Sequence, residues 1–141
     1  MDLSKLFDEL SNDEGREASA YTDSLGYLTI GVGHLIDKRK GGTLSDWIID
    51  QILRDDIMIK ASELDVKLPW WRTLDDDRQN VIVNMAFNLG VDGLLEFHHF
   101  LAALQAGDYE SASRYMLESL WATQVGARAD RLAARIKGIP Q

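Results

Sequence analysis

The sequence predicts an α+β chain in which a small N-terminal β-hairpin lobe is joined by a long helix to a larger helical lobe, with a cleft between them. Three observations carry this expectation. β-favouring residues mixed with turn-formers are concentrated near the start, in AYTDSLGYLTIGVGHLI at residues 20–36. Beyond Pro69 the apolar residues recur at helical spacing. With 141 residues, two prolines and no repeat or low-complexity tract, the chain reads as one domain, 1–141, large enough to bury a core without a metal or disulfide staple.

The elements follow in order. Leu3, Leu6, Phe7 and Leu10 lie on one helical face, so the chain opens with an amphipathic helix that ends near Glu14-Gly15 and leaves Glu14 at its terminus. Short strands come next, turning at Asp23-Ser24 and Gly26. Thr43 with Asp46 resembles a capping box in which Asp replaces the usual Glu. Leu44, Trp47, Ile48, Ile52 and Leu53 then continue a long helix towards Leu64. DDDRQNVIVNMAFNLG starts with acids suited to the positive end of a helix dipole, becomes apolar nearly all round, and predicts a buried central helix stopping at Gly90. Shorter helices are expected near 98–105, 108–119 and 126–137.

Composition removes several function classes. A net charge of −8 argues against nucleic-acid binding, which depends on clustered Lys and Arg. The charge is uneven, since residues 1–36 hold seven acids and two bases whereas 110–141 hold three acids and five bases. Without cysteine there is neither a disulfide framework nor thiolate chemistry. The acidic start MDLSKLFDEL and the lack of an apolar run of about 18 residues predict no signal peptide and no membrane insertion.

Several motifs have ordinary readings. Gly31 and Gly33 lack the third glycine of a dinucleotide loop and are expected to let strands turn. Asp92, Glu96, His98 and His99 show no recognised metal-ligand spacing, and no metal or other cofactor is expected. Trp70 and Trp71 suit a sugar-stacking platform, but packing is the preferred role. The segment NDEGREASAYTDSLGYLTIGVGH is different. A helix-end Glu14, a turn Asp23 and a strand Thr29 supply an acid, a polarising carboxylate and a water-holding hydroxyl, which are the parts of a glycosidase.

E-G-x7-D-x5-T-I-G-x-G-H, here Glu14, Gly15, Asp23, Thr29, Ile30, Gly31, Gly33 and His34, resembles the catalytic signature of the phage-type lysozymes, the muramidase endolysins of tailed bacteriophages (glycoside hydrolase family 24). VIVNMAFNLG resembles that family's central helix. Trp121, Gln124, Arg128 and Arg131 match its C-terminal W-x2-Q-x3-R-x2-R pattern. The resemblance implies a lysozyme-like fold and hydrolysis, with inversion, of the β-1,4 bond between N-acetylmuramic acid and N-acetylglucosamine in peptidoglycan. It makes Glu14 the general acid, with Asp23 and Thr29 placing the attacking water. His34, Gln124, Arg128 and Arg131 are implied as substrate-binding or supporting residues.

That chemistry needs a protonated Glu14 near neutral pH, hence burial that raises its pKa from about 4.3, and carboxyl groups about 6.5 to 9.5 Å apart to admit water. The family also suggests that Arg128 contacts Glu14, which would oppose the burial effect. His34 is expected to pair with Asp56. The stretch between His34 and Thr43 is shorter than in the best-known family member, trimming the sheet lobe. The resemblance further implies a monomer made in the host cytoplasm, acting on peptidoglycan glycan strands in the periplasm for host cell lysis, and released by a separate pore-forming protein. Two rivals share these residues. A lytic transglycosylase would cleave the same bond and leave Asp23 and Thr29 idle, and a non-catalytic wall-binding or virion structural protein would keep the fold alone.

Overall fold

The computed structural model describes residues 2–36 and 44–139, without the side chains of Phe7, Glu9 and Glu14. It has the α+β architecture expected, a small N-terminal sheet lobe and a larger helical lobe, and divides into two compact units, Met1–Ile52 and Leu53–Gln141.

In the first unit, α1 (Leu3–Glu14) starts at Asp2, whose carboxylate accepts from the Lys5 amide at 3.1 Å and satisfies one of the free donors of the first turn. It ends, as expected, at Gly15. Three short strands follow, β1 (Glu17–Thr22), β2 (Leu28–Gly31) and β3 (His34–Leu35), paired antiparallel in the order β1-β2-β3. Tyr21 pairs with Thr29 and Thr22 with Leu28, but the register shifts before Glu17 meets Gly31, so the start of β1 is irregular. Gly31 and Gly33, at φ 67° and 63°, make the tight link from β2 to β3, a conformation that residues with a Cβ rarely adopt. Their expected role in the turn is therefore met.

The Thr43 cap and the shortened stretch at 37–43 lie outside the described residues. Helix α2 (Asp46–Lys67) is preceded by Ser45, whose hydroxyl accepts from the Ile48 amide at 3.5 Å and whose carbonyl accepts from Ile49 at 3.0 Å. It runs past the expected Leu64. Among the described residues only Ala61 and Leu64 are buried on it, and Trp47 and Val66 are largely exposed.

The helical unit continues through a 3-10 turn (Pro69–Thr73) to α3 (Asp76–Leu95), α4 (His98–Gln105), α5 (Tyr109–Leu117), α6 (Leu120–Val125) and α7 (Ala127–Lys137). Asp75 caps α3, accepting from the Arg78 amide at 3.1 Å, and Asp76 and Asp77 fill its first turn as expected. One boundary differs from the sequence reading. Gly90 does break the helical geometry (φ 75°, ψ 158°), yet the chain resumes it to Leu95. Burial accounts for the difference, since Val91 and Leu94 beyond the break are both withdrawn into the core. Helix α6 is an addition to the sequence reading. At six residues it is too short for a periodic apolar signal, and it begins at Ser119, whose hydroxyl accepts from the Ala122 amide at 3.2 Å. Among the described residues the buried apolar side chains outside the sheet all fall between Ala61 and Ile136, so the core is that of the helical unit.

Candidate active site

The proposed catalytic residues lie on one short stretch of the first unit. Glu14 is the last residue of α1; its side chain, and hence its protonation, lies outside the described residues. Asp23 sits just past β1. Its Oδ1 accepts from the amides of Leu25 and Tyr27, each at 2.9 Å, and its backbone amide donates to the Tyr27 carbonyl at 2.8 Å. One carboxylate oxygen therefore holds the turn that joins β1 to β2. The other oxygen takes no hydrogen bond among the described residues, which leaves an acceptor on a half-buried side chain.

Thr29 lies on the central strand, opposite Tyr21 on one side and Leu35 on the other. It is 5 % exposed, and its hydroxyl donates to the Tyr27 carbonyl at 3.3 Å. Thr29 and Asp23 thus share Tyr27, whose amide binds Asp23 and whose carbonyl receives Thr29. A hydroxyl that donates inward keeps its lone pairs, so it can still accept a hydrogen bond from water. His34 begins β3, is exposed, and pairs in register with Ile30.

The other candidates belong to the helical unit. Gln124, on α6, and Arg131, on α7, are exposed. Arg128 is half-buried and firmly held. Its Nε and Nη2 donate to Asn84 Oδ1 at 3.0 and 2.7 Å, and Nη2 also donates to the Asn84 carbonyl at 3.2 Å. One turn further along α3, Asn88 Oδ1 accepts from the Trp121 indole at 2.8 Å. Nearer the start of α3, Arg135 donates to Asp77 at 3.0 Å and Arg78 donates to the Ile136 carbonyl at 2.8 Å. Helix α3 is therefore a spine to which the α6–α7 segment is pinned along its length.

Asn84 and Asn88 were missed by sequence reasoning, although a signal existed. Two asparagines four apart in VIVNMAFNLG stand on one face of an otherwise apolar helix, and burying an amide is costly unless it finds partners. Here the partners are two residues of the C-terminal motif.

Arg128 and Asn84 also line a cavity of about 480 Å³ in this unit. Its wall is largely aliphatic and aromatic, from Leu53, Ile57, Met58, Ala61, Val83 and Phe87. Trp71 lines it too but is only 2 % exposed, and its indole donates to Asp65 at 2.8 Å, so it is a packing residue rather than an open sugar platform. Arg72 donates to the same carboxylate at 2.8 Å. Those hydrogen bonds from Arg72 and Trp71 hold the Asp65 carboxyl below the usual carboxylate range. Of the residues weighed for a metal, Asp92 pairs with Lys67, His99 stacks on Tyr115 with ring centres 5.4 Å apart, and His98 approaches Glu96 at 3.9 Å.

Comparison with known proteins decides the family. Residues 11–137 match the profile of the family described as phage lysozyme, a span that holds every candidate site residue named above. The chain belongs to the phage lysozyme family. Its class is accordingly that of a glycoside hydrolase. The chain is 33 % identical over 150 residues to the pre-baseplate central spike protein Gp5 of Enterobacteria phage T4, covering 87 % of this chain but only 26 % of the spike protein. It is 26 % identical to probable T4-type lysozyme 1 of Dictyostelium discoideum, covering 96 % of this chain and 95 % of that protein. Probable T4-type lysozyme 2 of the same organism is 27 % identical, with 92 % of each chain covered.

Proposed function

We propose that this chain, acting as a single catalytic domain, hydrolyses the β-1,4 bond between N-acetylmuramic acid and N-acetylglucosamine in peptidoglycan, with inversion. Glu14 is the general acid, and Asp23 and Thr29 place the attacking water. The observation that carries the reading is the local build of the first unit. A helix ends on Glu14, and a hairpin follows in which Asp23 and Thr29 are tied to the same residue, Tyr27, within the span that matches the family. Inversion requires a water on the far side of the sugar from the acid. A carboxylate oxygen with spare lone pairs and a hydroxyl that can still accept suit that water. His34, Gln124, Arg128 and Arg131 are assigned to substrate binding or support, on the resemblance alone.

Digestion of purified sacculi with mass analysis of the products tests the reaction. Reducing muramic ends are expected, and anhydro-muramic ends would instead indicate a lytic transglycosylase. Glu14→Gln keeps the shape but cannot deliver a proton, so cleavage should fall to below about a tenth of the parent rate with the fold retained. Substantial residual cleavage would remove Glu14 from the acid role.

The biological setting admits two forms. In the first the enzyme serves host cell lysis, acts as a monomer, and reaches the wall from the host cytoplasm through a pore made by another protein. The second is a wall-cleaving module carried in a particle, favoured by the 33 % identity to a central spike protein. Peptide mass spectrometry of purified particles separates them, because only the second form places this chain in the assembled structure.

A further inference from the structure

The hairpin loop after Asp23 is closed by its own backbone. The amides of three consecutive residues converge on Asp23: those of Leu25 and Tyr27 donate to Oδ1, each at 2.9 Å, and that of Gly26 donates to the Asp23 carbonyl at 3.0 Å. The strands pair up to the loop, with Thr22 opposite Leu28 and the Asp23 amide donating to the Tyr27 carbonyl at 2.8 Å. Residues 24–26 therefore form a three-residue loop, whose last position takes a left-handed backbone and bulges the strand. Gly26 meets that demand at φ 87°. A residue with a Cβ resists such a backbone, and Asn resists it least.

Tyr27 follows directly, so the turn at Gly26 aims its peptide groups. Its amide goes to Asp23 Oδ1, and its carbonyl receives two donors, the Asp23 amide and, at 3.3 Å, the Thr29 hydroxyl. The Thr29 proton is thereby committed, and toward a ligand the hydroxyl acts as an acceptor. An ionised carboxylate is likewise an acceptor only. We propose that Gly26 is a positioning residue for the attacking water. Its left-handed turn aims Tyr27 so that Asp23 and Thr29 both present acceptors; the water donates a hydrogen bond to each and turns a lone pair to the anomeric carbon of the sugar. This rests on the hydrolase reading above, in which Asp23 and Thr29 place that water. Gly26 acts through Tyr27 and not on the substrate.

The test measures kcat and KM on soluble glycan strands of peptidoglycan for the parent, Gly26→Asn, Gly26→Ala and Gly26→Val, each below its melting temperature. The kcat should fall in the order Gly, Asn, Ala, Val, by about tenfold or more for Ala, with KM held within about twofold. Bulk alone would place Asn below Ala, so the order separates backbone conformation from size. Gly107→Ala is the control, since Gly107 has a similar backbone (φ 77°) just past α4 in the helical unit. It should lower melting and leave kcat unchanged. Parental kcat in Gly26→Ala, a loss confined to KM, or an equal loss of kcat in Gly107→Ala overturns the proposal. If the Ala and Val variants fail to fold, NMR of the parent still decides. The Thr29 hydroxyl proton should exchange slowly with water, and a freely exchanging one overturns the committed direction of its hydrogen bond. Asp23→Asn separates the two readings. Parental activity there removes the hydrolase role of Asp23, whereas an inactive Asp23→Asn beside a fully active Gly26→Ala removes only the role of Gly26.

Discussion

Asp23 has two tasks that substitution can separate. Its Oδ1 closes the β1–β2 turn through two amides at 2.9 Å, while its charge is what the proposed reaction uses. Asp23→Asn keeps an oxygen that can accept from Leu25 and Tyr27, so it should leave the melting temperature nearly unchanged while cutting the rate. Asp23→Ala removes both and should lower melting as well as activity, by about 1 kcal/mol of stability, the usual worth of a local hydrogen bond of this kind. Equal activity of the Asp23→Asn and parent enzymes on sacculi would show that the charge is dispensable. Thr29 gives a parallel test, because Val has nearly its shape but lacks the hydroxyl. If the hydroxyl orients the water, Thr29→Val should slow cleavage by about 10² or more, equivalent to about 2.7 kcal/mol of barrier. Its 5 % exposure sharpens this, since a residue that only packs would tolerate the apolar replacement in the rate.

At the scale of elements, polar pairs fasten helices whose apolar faces alone leave the alignment loose. Asp65, near the end of α2, holds the Trp71 indole and the Arg72 guanidinium of the following 3-10 turn. The two donors depress its folded pKa, Arg72 most strongly. Stability from a depressed carboxylate is present above its unfolded value of about 3.9 and is lost as pH falls through the lower folded value. The parent should therefore melt above Asp65→Asn at neutral pH, with the gap constant down to roughly pH 4 and closing below it. Melting curves for both proteins across acid pH check this, and a gap that widened in acid would contradict the pairing. The α3 spine works in the same manner. Asp77, Arg78, Asn84 and Asn88 meet Arg135, Ile136, Arg128 and Trp121, so that later positions on α3 meet earlier ones on the C-terminal segment, which sets α7 antiparallel to α3.

Over the whole molecule the governing quantity is the net charge of −8. Peptidoglycan also carries carboxylates, so long-range attraction to the wall should be weak, confined to the basic C-terminal segment that includes Arg128, Arg131, Arg135 and Lys137. Raising ionic strength from about 0.01 to 0.15 M shortens the Debye length from about 30 to 8 Å and screens the overall repulsion before the short-range contacts. Sacculus clearing should then hold steady or quicken over this range. A fall of tenfold or more would mean that local basic residues dominate capture.

The sequence by itself determined the order and type of the main elements, because helical spacing, strand residues and turn-formers are local properties. The helix ending at Glu14, the hairpin around Asp23 and the acid-led start of α3 were all legible for that reason. So was the family, carried by residue types at fixed spacing in three separated motifs. Tertiary structure decided what depends on distant partners. Local propensity stops a helix at Gly90, but burial of Val91 and Leu94 extends it, and α6 is too short to announce itself. The deepest example is Arg128. Its sequence position marked it as part of a motif, yet that its guanidinium is held by Asn84, forty-four positions away and neutral, follows only from the packing of α7 on α3. A local pattern records what a residue is; which group answers its charge is set by whatever the fold brings beside it.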